Sequence, residues 1–404
     1  MTLSEELVWR GFVNQTTIQD LKLLDEGPRT FYHGFDASAD SQTIGNLAAM
    51  MVDMVFIRHG YKAILLAGGA TSLVGDPGGK DAERPTQTIE TVEHNVAMAK
   101  KQLELIFKDQ EFTLVNNLDW TKDLKVLDFL RDVGKHFTMS SLVQRDYIAS
   151  RLGDAGTGIS YTEFSYTLLQ GIDYLHLYDT YNVTLQIGGS DQWGNCLSGV
   201  ELIRKTRNAT VDVMTLPLVI NKATGKKFGK SEDGAVWLDS EKTSIFKFYQ
   251  FWLNSDDANT TEYAKIFTLL GPDEIAEMEH QVAHNPSARD AQKTLAFEVT
   301  KIVHGTDRAV SVKRVTDALF GGTLFSELSS EDLGILAIEI PTCPTGVSLI
   351  EMLVQSGHAS SNGEARRLID GGAISFSGLK ITEDIIITES GLVKKGKNSF
   401  ILVR

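Results

Sequence analysis

The chain has 404 residues, 42% of them apolar and 23% charged, with a formal net charge of −14. That length predicts two or three domains, no apolar run is long enough for a membrane span, and the acidic balance excludes a surface that binds polyanions throughout. Two cysteines, Cys196 and Cys343, stand far apart in no metal-like spacing, and MTLSEELVWRG lacks an export signal, so a reducing cytoplasm is expected.

From residue 31 to about 220, short β-rich runs alternate with helical patterns, which predicts βαβ units around a parallel sheet. The first run leads into FYHGFDASADSQTIGN, 31–46. Its strand is expected to end near Gly34 and a helix to begin at Ile44, so that Asp36, Ser38, Asp40, Ser41 and Thr43 rim the carboxyl edge of the sheet. Ligands of open α/β sheets sit at that edge, facing a helix N-terminus, and Gly45 would let one approach the helix backbone. An ordinary polar βα loop with an N-cap has the same composition.

The next strand, YKAILLAGGA, opens AGGATSLVGDPGGKDAERP, which invites a P-loop reading. The spacing fails: Lys80 is followed by Asp81, and Val74 stands where the leading glycine belongs. FTLVNN is a further strand. In SYTEFSYTLLQGIDYL, 160–175, Tyr166, Gln170 and Asp173 form one polar stripe at about 100° per residue on an otherwise apolar helix. Such a stripe requires a partner: another helix, solvent or a small amphoteric ligand. LQIGGSDQWGN, 185–195, repeats the pattern of a strand ending in glycines, with Asp191 and Gln192 placed for hydrogen bonding to a sugar or an amino-acid head group, or as a capped glycine turn.

Near 221 the pattern breaks into NKATGKKFGKSEDGA, read as a mobile loop. Its Lys226, Lys227 and Lys230 suit closure over a polyphosphate, or form a solvated basic loop. Five capped helical segments follow between about 241 and 320, then Pro341 and Pro344, and then a tail of two helical patterns and several short strands. The tail, 347–404, carries seven Lys/Arg against six Asp/Glu and is the least acidic part of the chain.

Taken together, YHGFDASADSQTIGN, GGATSLVGDPGGK, YTEFSYTLLQGIDYL, LQIGGSDQWGN and KFGKS resemble the bacterial-type tyrosyl-tRNA synthetases, class I aminoacyl-tRNA synthetases, across essentially the whole chain. TIGN stands where the family usually has HIGH, and KFGKS stands for KMSKS. The resemblance implies an α/β fold: a Rossmann-like catalytic domain with a dimer-forming insertion over 1–220, and a KMSKS-type loop at 221–240. It further implies a helical anticodon-recognition domain at 241–328, a linker at 329–346, and an S-four-like RNA-binding domain at 347–404.

The resemblance also implies roles. Tyr32 and Asp173 hydrogen-bond the phenolic hydroxyl of tyrosine, Asp76, Tyr166 and Gln170 hold its ammonium group, and Gln192 lies near its carboxylate. His33, Gly189 and Asp191 contact the ribose of ATP, with Gly34, Asp36, Ser38 and Gly45 lining the same site. Thr43 and Asn46 replace two histidines that reach the ATP phosphates, so a shorter hydroxyl and an amide take the place of two ring donors. Lys227, Lys230 and Ser231 belong to the closing loop, assisted by Lys80 and Arg84. Arg366, Arg367 and Lys380 contact RNA backbone. The implied partners are L-tyrosine, ATP with Mg2+, tRNA and a second copy of the chain, with no tightly bound cofactor, no resident metal and no membrane.

The chemistry agrees with this set of residues. A carboxylate attacking an α-phosphate needs no general base, only alignment and stabilisation of charge, which lysines and neutral donors supply. Selection against phenylalanine would rest on Tyr32 and Asp173 without an editing domain, an effect for which tyrosyl-tRNA synthetases are the standard example. Two rivals stand beside this reading: another nucleotide-activating enzyme of the same fold, such as a tryptophan-specific synthetase, and a catalytically inactive RNA-binding relative.

Overall fold

Thr30–Asp36 (β2) and Lys62–Gly68 (β3) are the central strands of a six-stranded sheet, completed by Gln15–Thr16 (β1), Phe112–Asn116 (β4), Val183–Gly189 (β5) and Asp212–Leu216 (β6). The order is β1-β6-β5-β2-β3-β4, parallel except for β1. This is a computed structural model, and it describes all residues except 77–86, 145, 153–157, 221–227, 229 and 232–233. The strands β3 and β5 are almost wholly apolar, as strands covered on both faces must be. The chain builds outward from β2 through β3 to β4, then returns to the other flank of β2 with β5. That reversal makes the carboxyl ends of β2 and β5 the topological switch point where ligands of such sheets bind.

Helices cover both faces. Ile44–Arg58 connects β2 to β3 and is buried almost all round, with Leu47, Met51, Val52, Val55 and Phe56 in the core. Tyr161–Tyr181 leads into β5 and begins with a capping box: Ser160 Oγ accepts from the Glu163 N–H at 3.2 Å, and the Glu163 carboxylate accepts from the Ser160 N–H at 3.3 Å. It packs directly on Trp193–Arg207, which connects β5 to β6, because Gly199 has no side chain. A Cβ there would lie 2.6 Å from the Cβ of Tyr174.

The sequence expectation for the opening stretch holds at the helix, which starts at Ile44. The strand runs two residues past Gly34, because pairing with β3 continues to Asp36 opposite Gly68.

The chain forms two compact units, 1–243 with 255–295, and 244–254 with 296–404. The first holds the sheet and also the helices Asp257–Phe267 and Pro272–His284. Arg10 ties the former in: its guanidinium donates to the carbonyls of Lys265 at 2.7 Å, Thr268 at 2.8 Å and Leu270 at 3.1 Å, capping the end of that helix.

The second unit holds the helices Ile245–Leu253, Thr306–Phe320, Ser330–Glu339, Leu349–Gln355 and Asn362–Asp370, with a five-stranded sheet running Leu379–Ile381, Ile374–Phe376, Gly391–Lys395, Ser399–Val403, Thr342–Cys343. The stretch read as a linker, 329–346, contains an ordered helix. Leu336 sits in one core with Val315, Leu319, Leu392, Phe400 and Leu402, and the buried Asp332 carboxylate accepts from the Ser311 hydroxyl and, at 2.9 Å, from the Ser329 N–H. Pro341 and Pro344 follow this helix rather than interrupt it.

Candidate active site

The polar stripe of Tyr161–Tyr181 faces the carboxyl end of β2, and the two elements bring their polar side chains together there. Tyr32 is 1% exposed, its ring edge-on to Tyr174 at 5.1 Å, and its hydroxyl is buried with no hydrogen-bond partner. Leaving a buried hydroxyl unmatched costs on the order of 1–3 kcal/mol. The group therefore holds hydrogen-bonding capacity that the fold itself does not use.

Asp173, on the same helix, is 3% exposed. One carboxylate oxygen accepts from Asn117 Nδ2 at 2.9 Å and the other from Trp120 Nε1 at 2.9 Å. Burial drives its pKa up to about 7, against the opposing pull of those two donors and with some help from the charge of Asp36. Asp36 itself accepts from the Thr71 hydroxyl at 2.8 Å and from the Tyr166 hydroxyl at 3.0 Å. Gly68 permits the first of these bonds, since a Cβ there would lie 2.3 Å from the Thr71 hydroxyl oxygen. Asn117 Nδ2 also reaches the Thr71 hydroxyl at 3.3 Å, so Tyr166, Asp36, Thr71, Asn117, Asp173 and Trp120 form one continuous network.

Asp76 lies nearby, its carboxylate accepting from Gln192 Nε2 at 2.6 Å, while Gln192 Oε1 accepts from Asn195 Nδ2 at 3.2 Å. Burial first, and then the charges of Asp36, Asp76 and Asp173, raise the pKa of Tyr166 well above its ordinary value. Three carboxyl groups, Asp36, Asp76 and Asp173, stand around one buried phenol, an arrangement that suits a cationic group. Gln170 lies on the same stripe, with Nε2 at 3.6 Å from Cys196 Sγ.

On the other side of β2 the N-terminus of Ile44–Arg58 opens at the surface. Gly34, Ser38, Gly45, Asn46 and Asp191 are exposed, and Gly189 is half-buried. Thr43 and Asn46 face each other across the first turn. His33 projects toward this helix, with Nδ1 at 2.7 Å from Asp53 Oδ2. Ile44 N–H donates to the Val236 carbonyl at 3.1 Å and Leu238 N–H to the Gln42 carbonyl at 2.9 Å, so the strand leaving the KFGKS segment is laced to TIGN.

The sequence-derived residues thus gather in one region, with stated exceptions. Lys80, Arg84 and Lys227 lie outside the described residues, and Lys230 and Ser231 pair as strand with Ala235 and Gly234. Arg366, Arg367 and Lys380 belong to the second unit. All three are exposed, and Lys380 lies across Gly372, the turn that follows the helix bearing the two arginines. Sequence reading passed over Thr71, Asn117, Trp120 and Asp53. Asn117 and Trp120 carry the one available signal, polar and aromatic side chains directly after the β4 strand.

Residues 24–321 match the family model of the class I tRNA synthetases (W and Y). The chain is 45% identical to the tyrosine–tRNA ligase of Bacillus caldotenax and 42% identical to tyrosine–tRNA ligase 2 of Bacillus cereus, in each case over the full length of both chains. Among solved structures it is similar to a C-terminally truncated mitochondrial tyrosyl-tRNA synthetase of Aspergillus nidulans, at 29% identity and a TM-score of 0.71, covering 79% of this chain and 94% of that one.

Proposed function

The chain belongs to the class I tRNA synthetases (W and Y), and from that membership we infer that it is a tyrosine–tRNA ligase. It activates L-tyrosine with ATP to tyrosyl-adenylate and pyrophosphate, then transfers tyrosine to the terminal adenosine of its tRNA. The observation that carries the specificity is the unpartnered hydroxyl of Tyr32 close to the buried carboxylate of Asp173. A phenol entering there donates to Asp173 and accepts from Tyr32. Phenylalanine would leave the Tyr32 hydroxyl unpaired and give Asp173 nothing beyond Asn117 and Trp120, and an indole has no oxygen to accept from Tyr32.

Asp36, Asp76, Tyr166 and Gln170 support a cradle for the substrate ammonium, and Gln192, fixed by Asp76 and Asn195, stands ready for its carboxylate. The carboxylate is itself the nucleophile. The chain's task is to align it with the α-phosphate and to stabilise the charge that develops on the phosphorus and on departing pyrophosphate. The helix N-terminus at Ile44, with Gly45 and Asn46, supports binding of the triphosphate, which enters as its magnesium complex. Lys227, Lys230, Ser231, Lys80 and Arg84 serve in loop closure. The second unit, through Arg366, Arg367 and Lys380, engages RNA backbone.

A homodimer formed through the first unit is supported by a surface that includes Val126, Leu127 and Tyr161, exposed 71%, 78% and 68%, beside a groove lined by Leu124, Phe129 and Leu169. No described helix is long and apolar enough to cross a membrane.

The test is amino-acid-dependent exchange of labelled pyrophosphate into ATP with tyrosine, phenylalanine and tryptophan, followed by charging of tRNA. Exchange with tyrosine alone is expected. Exchange with tryptophan, or none from folded protein, overturns the reading.

A further inference from the structure

Asp53 is an anomaly in its helix. Its neighbours Met50, Met51, Val52, Met54 and Val55 are buried and apolar, and Asp53 is 1% exposed. One carboxylate oxygen meets His33 Nδ1 at 2.7 Å, and the other is buried without a partner. A buried carboxylate with one oxygen unmatched weakens the fold relative to an apolar residue of similar size. Packing gives no reason for it.

Its placement supplies one. Side chains alternate along β2, so Tyr32 faces Tyr174 on one side while His33 faces the helix Ile44–Arg58 on the other. Asn46 and Asp53 are seven residues apart, two turns of the same helix face. His33 therefore reaches from the switch-point strand to the helix whose N-terminus lies at the carboxyl edge of the sheet. With Nδ1 committed to Asp53, Nε2 is the only polar atom left on the ring, and the side chain remains 12% exposed.

We propose that Asp53 is a positioning residue for ATP: by accepting the Nδ1 proton of His33 it fixes the ring so that Nε2 faces and hydrogen-bonds a ribose hydroxyl of the bound nucleotide. This rests on the ligase reading for the identity of the nucleotide. Burial lowers the pKa of His33, but the charge and hydrogen bond of Asp53 outweigh it and leave the imidazole above its ordinary value, which favours the form with both nitrogens protonated. Tyr32 and the carboxylates of the tyrosine site lie on the opposite face of the strand, so disturbance of this pair should be felt by ATP and not by tyrosine.

The test is calorimetric titration of the full chain with magnesium ATP, for wild type, Asp53→Asn, His33→Ala and the double variant, together with nitrogen NMR of histidine-labelled wild type. Asp53→Asn and His33→Ala are each expected to weaken ATP binding roughly tenfold, the double variant no further, with KM for tyrosine unchanged within about twofold. In wild type the His33 Nε2 resonance is expected to shift on adding ATP. An unmoved Nε2 resonance overturns the proposal without recourse to any variant, as does wild-type ATP affinity in Asp53→Asn. Losses that add in the double variant also overturn it. Absence of tyrosine-dependent exchange alongside the expected ATP results removes the ligase reading and leaves the nucleotide role standing. Wild type that binds no ATP removes both.

Discussion

Thr43 and Asn46 hydrogen-bond to each other across the first turn of the helix Ile44–Arg58. The Asn46 carboxamide oxygen accepts from the Thr43 backbone N–H at 3.0 Å and from its hydroxyl at 2.9 Å. Two donors on the oxygen oblige the amide nitrogen to face away from Thr43, toward the open end of the helix. TIGN thus presents one oriented donor, steadied by the threonine, in place of the two histidines of HIGH.

Asn46→Asp separates cap from donor. A carboxylate caps the helix at least as well and favours its positive end, so thermal stability should hold or rise slightly. The donor is gone, and tyrosine-dependent pyrophosphate exchange should fall by roughly 30- to 1000-fold, the range for loss of one preorganised donor to a developing charge. Parallel melting curves and exchange rates check both halves.

Tyr32→Phe should leave the ligand-free protein equally stable or more so, because the hydroxyl removed has no partner in the fold. The same substitution should raise KM for tyrosine roughly tenfold and narrow discrimination against phenylalanine. Denaturation of the two proteins, with KM for both amino acids, measures the trade.

On the proposed role of Asp173, tyrosine binding is expected to depend on pH. With its pKa pushed up to about 7 by burial, the carboxyl is largely protonated below that value and accepts the substrate phenol only as pH rises through it. Tyrosine affinity by equilibrium dialysis should therefore climb between pH 6 and 8, and Asp173→Asn should flatten the profile while weakening binding. The folding linkage has the opposite sign. A folded value above the ordinary 3.8 means that the ligand-free native state holds the extra proton, so this group's contribution to stability is full below pH 4 and declines as pH rises from there to about 7.

Gly199→Ala tests the contact between the helices Tyr161–Tyr181 and Trp193–Arg207. The new methyl would meet Tyr174 Cβ at 2.6 Å and Cδ1 at 2.7 Å, and Tyr174 is fully buried with its hydroxyl donating to the Asp212 carbonyl at 2.7 Å. Neither partner yields without moving backbone, so a loss of about 1–3 kcal/mol is expected in chemical denaturation. KM for tyrosine should rise with it, since Tyr174 backs the ring of Tyr32.

Leu127→Lys places a charge at a position exposed 78% on the surface offered for dimerisation. Sedimentation equilibrium should show wild type as a dimer and the variant shifted toward monomer, with its circular dichroism unchanged. A wild type that sediments as a monomer overturns the homodimer.

Beyond the roles that the family resemblance implies for Tyr32, His33 and Asp76, what the sequence determined by itself was local: alternating strands and helices from their apolar periods, the helix start at Ile44, the failed P-loop spacing, and the polar stripe of Tyr166, Gln170 and Asp173. These are legible because backbone sterics and hydrophobic patterning act over a few residues. Only the tertiary structure decided which side chains support those residues. Asn117 and Trp120 reach Asp173 from more than fifty positions away, and Asp53 reaches His33 from twenty. Such bonds follow from sheet register and helix packing, and no local period encodes which distant donor will arrive at a buried carboxylate. The same physics placed Leu336 in a core with Leu392 and Leu402 within the stretch read as a linker: burial of apolar surface is settled by the whole fold, while proline constrains only its own turn.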